Sequence, residues 1–164
     1  MYIGNRIAHL RQGVVLFDDL HIIGINSVLP DYKLAYHIGN SLKFNFIRLK
    51  EIHLDNVLPY AFFYYNAGEN RNAYNLVSLR NKDHLCLKLN PRIDYIFIIR
   101  NHITDERLGQ IIKNIRDIKD VVHAYVMNLD NTPTIDVMLE KIEMHERNCL
   151  EELLNPKKDY EATA

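Results

Sequence analysis

The sequence predicts an α+β fold: a mostly antiparallel sheet of about six strands in the element order β-α-β-β-β-β-α-β, followed by a C-terminal amphipathic helix. Three observations predict it. The run Ile93-Asp94-Tyr95-Ile96-Phe97-Ile98-Ile99-Arg100 is apolar on both sides of its two-residue period and leads, through a helical pattern, into a second apolar strand, Val121 to Met127. An aromatic run, Tyr60 to Tyr65, is joined by the turn-rich Asn66-Ala67-Gly68-Glu69-Asn70 to an apolar run, Ala73 to Leu79, the pattern of a hairpin. A β-branched run, Leu20 to Ile25, passes through a proline turn into apolar residues at helical spacing.

Taken in order, residues 1–12 are polar and weakly patterned, and read as a loose arm. Leu20 to Ile25 is a buried first strand. Pro30 suits a first helical turn and Asp31 its positive dipole end; Leu34, Ala35, Ile38 and Leu42 then mark a helix. Gly39 inside it would cost about 1 kcal/mol against alanine, or permits a close contact with the sheet. Phe44 to Leu49 resumes as a short strand, the aromatic hairpin follows, and Leu85 to Leu89 alternates as a short edge segment before Pro91. In the next helix Leu108, Ile111, Ile112, Ile115 and Ile118 face one way, with Thr104 as cap, Asp105 and Glu106 in the first turn, and Arg116 and Lys119 in the last. A crossover from Ile93–Arg100 to a parallel Val121–Met127 is expected to be right-handed. The last helix runs from about Thr134 to Leu154 on Ile135, Met138, Leu139, Ile142, Cys149, Leu150 and Leu153. These elements form one domain over 13–130, the helix over 131–154 and a disordered tail over 155–164. The best specific topology is a ferredoxin-like core with an inserted hairpin, an architecture that hosts many functions.

Composition excludes several classes. With 164 residues, 48% hydrophobic and 25% charged, the chain can build a core without metal or disulfide staples. A formal net charge of -1 gives no bulk attraction to nucleic acid or anionic membrane. Cys86 and Cys149 lie far apart without CxxC spacing and read as buried reduced thiols, which fits a cytoplasmic protein. Met1 to Arg6 opens no signal peptide, and no run is long and apolar enough to cross a membrane.

The stretches Gly24-Ile25-Asn26-Ser27 and Leu29-Pro30-Asp31-Tyr32-Lys33-Leu34-Ala35-Tyr36, the aromatic hairpin, and Ile93-Asp94-Tyr95 opening a hydrophobic strand carry a resemblance. Over about Leu20 to Met127 the chain resembles the bacterial family of unknown function named for its IPExxxVDY signature, found in the Bacteroidetes lineage. The VDY element matches as Ile93-Asp94-Tyr95. The IPE element falls on Leu87-Lys88-Leu89, which keeps only the aliphatic first position, with Pro91 four residues late. The resemblance implies no activity and transfers no catalytic residue.

Asp94-Tyr95 is the site to watch. At the start of a central strand the acid can bond amides of the preceding Asn90 to Arg92 loop or pair with an arginine; as a general acid it would need a partner and a cleft. The eight histidines form no i,i+4 pair and no HExxH, so no metal site is expected. Asn101-His102 with Thr104 reads as a plain helix cap, since a phosphate site there would want glycines. No Walker, GxGxxG or GxSxG motif occurs, so no cofactor and no catalytic residue is assigned, and the reading leans away from an enzyme. Tyr60, Phe62, Phe63, Tyr64, Tyr65 and Tyr74 belong to the core or to a partner-facing hairpin, against base stacking as the alternative. The last helix either packs on its own sheet or pairs with a second copy.

The expectation is therefore a non-catalytic cytoplasmic interaction module, self-associating through the sheet face or C-terminal helix or joining a complex. Asp94, Tyr95, Asp31, Tyr32, Tyr60, Phe62, Tyr64 and Tyr74 are its candidate structural or interaction residues. The alternatives are an RNA-associated accessory protein using a basic face of Arg71, Arg80, Lys82, Lys88, Arg92 and Arg100, and an enzyme with a site near Asp94 and His102.

Overall fold

The computed structural model describes residues 20–68, 73–100, 103–128 and 133–155. The N-terminal arm, the tail beyond Asn155, Arg71, Asn101 and His102 lie outside them. The described elements are β1 (Leu20–Ser27), α1 (Asp31–Leu42), β2 (Ile47–Ile52), β3 (Tyr60–Asn66), β4 (Ala73–Ser78), β5 (Arg80–Asn81), β6 (His84–Leu85), β7 (Tyr95–Arg100), α2 (Asp105–Arg116), β8 (Val121–Val126) and α3 (Pro133–Leu154).

Six strands form one sheet in the order β2-β3-β4-β7-β1-β8, and every neighbouring pair is antiparallel. β7 is central because its residues are apolar on both faces, and all six are buried. β7 and β8 run parallel without touching, since β1 lies between them; β1 and β4 are likewise split by β7. This is the ferredoxin-like arrangement, with β2 and β3 inserted between α1 and β4 so that they lengthen the sheet beyond β4.

Side chains alternate across the sheet and make two cores. On one face Ile22, Phe62, Val77, Ile96 and Ile98 meet Ile135, Met138, Leu139, Ile142 and Cys149 of α3. On the other, Ile23, Ile25, Leu76, Phe97 and Ile99 meet Leu34 and Ile38 of α1 and Ile111 and Ile115 of α2. At about 1.5–3 kcal/mol for each buried Ile, Leu or Met side chain, the stripe of α3 is among the larger stabilising contributions. The helix packs on its own sheet along Ile135 to Cys149, while Leu153 near its end is 60% exposed.

Several local expectations are corrected. Asp31 opens α1 and Pro30 stands one position earlier, at the cap. Gly39 approaches the returning chain, not the sheet: a Cβ there would lie 2.7 Å from the Phe44 carbonyl oxygen. Lys43 takes a left-handed conformation and the Phe44 N–H donates to the Gly39 carbonyl at 2.8 Å, so Phe44 to Phe46 folds back along α1 and β2 starts only at Ile47. Leu85 to Leu89 does not extend the sheet. Only His84–Leu85 pairs, with Arg80–Asn81, and Cys86, Leu87 and Leu89 pack against the α3 core. Lys113 and Arg116 are the basic residues of the last turn of α2, with Lys119 beyond it; Thr104 caps that helix through the Arg107 N–H at 3.1 Å.

Both sheet edges are blocked in the middle. On β2 the Lys50 carbonyl is bonded by His145 Nε2 at 2.6 Å. On β8 the Ala124 carbonyl accepts from Arg116 Nε at 2.7 Å. Side chains that occupy outward backbone groups protect an edge from pairing with another strand.

Candidate functional site

Asp94 enters β7 with its carboxylate turned inward, at 1% exposure. One oxygen accepts the Ser27 N–H at 3.0 Å; the other accepts Arg92 Nε at 2.9 Å and an Arg80 Nη at 3.4 Å. The amide partner is thus at the end of β1, not in the preceding loop. Arg80 also donates to the carbonyls of Ser27 (3.2 Å) and Leu29 (3.0 Å) and to the Tyr95 hydroxyl (3.2 Å), which itself donates to Leu29. The network ties the β1–α1 turn to the β4–β5 corner and to β7. Its polar groups are matched among themselves, and Asp94 lines no cavity among the described grooves. The arrangement anchors three chain segments and offers no acid facing a ligand.

The aromatic hairpin is core. Tyr60 and Phe62 are 1% and 0% exposed on the α3 side, where Phe62 meets the His145 ring edge-on at 5.0 Å and Tyr64 packs beside them. Tyr74 lies on the other face, its ring 4.3 Å from Phe44 and stacked on Phe97 at 5.8 Å. None of these presents a ring for a base or a partner, except at the partly exposed margin of Tyr64.

A second cluster, missed in the sequence, closes the β2–β3 connection. Asp55 accepts the Val57 and Leu58 amides (3.0 and 3.2 Å), the Tyr60 hydroxyl (2.8 Å) and His84 Nε2 (3.2 Å). Burial pushes this carboxyl up, but the hydrogen bonds outweigh it and bring it from 3.8 down to about 2. A carboxyl lowered by folding stabilises the native state above its unfolded value, and the contribution is lost as pH falls through the folded one. Asp55→Asn is therefore expected to flatten the acid limb of stability between pH 3.8 and about 2, measured as urea midpoints at successive pH. Equal slopes in both proteins would refute the assignment. Burial, with the Asp55 charge adding to it, pushes the neighbouring Cys86 thiol up to about 12, and burial raises Cys149 as well, so neither is poised as a nucleophile.

One open surface lies beside α1, and a groove of about 620 Å³ lies between β2 and α3, lined by Ile52, His53, Val137 and Met144 among others. Because β2 and β3 carry the sheet past α1 and α2, a ledge remains between α1 and the start of β2. Tyr32 and Tyr36, one turn apart, are 60% and 64% exposed along its wall. Gly39 lets Phe44 and Phe46 return beneath them. Ala35, Gly39, Asn40, Asn45, Arg48 and Phe63 complete a groove of about 370 Å³. Arg48 lies 5.3 Å over the Phe63 ring and pairs with Asp31 at 3.1 Å. Beyond that pair a second groove, about 310 Å³, is lined by Asp31, Glu51, Arg80, Lys82 and Tyr95 among others.

Of the candidate residues, the structure therefore links Asp94 and Tyr95 through Arg80 and places Tyr32 at the groove beside α1 and Asp31 at the groove beyond it, while Tyr60, Phe62, Tyr64 and Tyr74 are separated into two cores. Tyr36, Asn40, Asn45, Phe46 and Arg48 were not singled out. The signal for Tyr36 was present: Tyr32 and Tyr36 share the polar side of an amphipathic helix, away from Leu34 and Ile38. No group of three or more His, Cys, Asp or Glu among the described residues is arranged to hold a metal ion, and no helix among them is long and apolar enough to cross a membrane. Comparison with protein-family models, with curated proteins and with solved structures finds no match.

Proposed function

We propose that this chain is a non-catalytic cytoplasmic protein-interaction module, similar to the IPExxxVDY family, and that it joins a complex through the groove beside α1. One observation carries the reading: two tyrosines a helical turn apart stand more than half exposed over a groove floored by aromatic and small side chains. Tyrosine supplies large contact area at low conformational cost and is enriched where proteins bind one another. Most of the α3 stripe packs on the chain's own sheet, which supports a different partner over a second copy.

The RNA-associated alternative has less support. Its aromatics are buried except at Tyr64 and Tyr65, which are partly buried, and of its basic residues Arg80 and Arg92 are held by Asp94 and Arg100 by Glu146. An enzyme centred on Asp94 has less still, since that carboxylate is enclosed by its own partners.

The test is affinity purification from the native cell with mass spectrometry, comparing the wild type with a Tyr32→Ser, Tyr36→Ser double variant. Both side chains are exposed, so the variant is expected to keep its circular dichroism and urea midpoint while losing the wild-type partner. An unchanged partner set, or a wild-type chain that is monomeric and captures nothing, would sink the proposal.

A further inference from the structure

We draw no further inference here: the strongest candidate, the groove of about 620 Å³ between β2 and α3 with Val137 and Met144 exposed along it, carries nothing because nothing in the structure shows what covers it.

Discussion

Asp94→Ala is expected to remove about 3–5 kcal/mol of folding stability. The substitution leaves the Ser27 amide without its partner at a buried position and the Arg80 guanidinium, whose side chain is 18% exposed, without its carboxylate. Breaking a buried pair from one side costs more than the pair itself contributes, because the remaining charge keeps its desolvation penalty. A domain of ordinary stability, about 5–15 kcal/mol, would lose much of its margin. Asp94→Asn retains the shape and one acceptor, and should cost about half as much. Urea midpoints of the two variants check this. A loss below 1 kcal/mol for the alanine variant would mean that the network is ornamental to the fold and would reopen Asp94 as a residue kept for another purpose.

Glu146→Ala should be comparably damaging, at about 3 kcal/mol. Glu146, Arg100 and Asn75 are 7%, 6% and 0% exposed, a polar cluster in the seam between α3 and the sheet. The same Glu146 oxygen accepts from Arg100 and, at 2.8 Å, from Asn75. Arg100 lies at the end of β7 and Asn75 on β4, so the carboxylate sets where α3 crosses the strands. Buried polar contacts of this kind specify register more than they stabilise. Glu146→Gln, which keeps an acceptor but no charge, is expected to lose less, about 1–2 kcal/mol. Hydrogen exchange should show α3 opening first in the alanine variant; a uniform loss of protection across all elements would argue that the helix has no separate attachment at Glu146.

The elements that were legible from the chain are those whose patterns are self-sufficient. β7 is apolar at consecutive positions over a strand's length, and burial on both faces follows for any sheet that encloses it. α2 carries its own start signal in Thr104 and its own periodicity in Ile111 and Ile115. The early part of β2 was misplaced because Phe44 and Phe46 look like strand residues. Only the contact of Gly39 with the Phe44 carbonyl explains why the chain turns there first. Leu85 to Leu89 alternates like a strand but has no neighbour to pair with beyond Arg80–Asn81.

The candidate site was less legible, for a different reason. Tyr32, Tyr36, Tyr60 and Phe62 are equivalent as letters. The exposure of Tyr32 and Tyr36 follows from the polar side of α1, but the burial of Tyr60 and Phe62 depends on where α3 lies, and α3 leaves the α1 side of the inserted hairpin open. Asp94 could be marked as an anchor, but its amide partner is 67 residues away and its Arg80 partner 14. By itself the sequence determined the class of fold, the central strand, the helices and their apolar faces, because propensity, periodicity and capping act within a few residues. Tertiary structure alone decided which hairpin aromatics became core, which carboxylates met which arginines, and that two strands would outrun α1 and α2 and leave a groove. Those outcomes are set by contacts between residues distant in the chain, whose energies no local pattern contains.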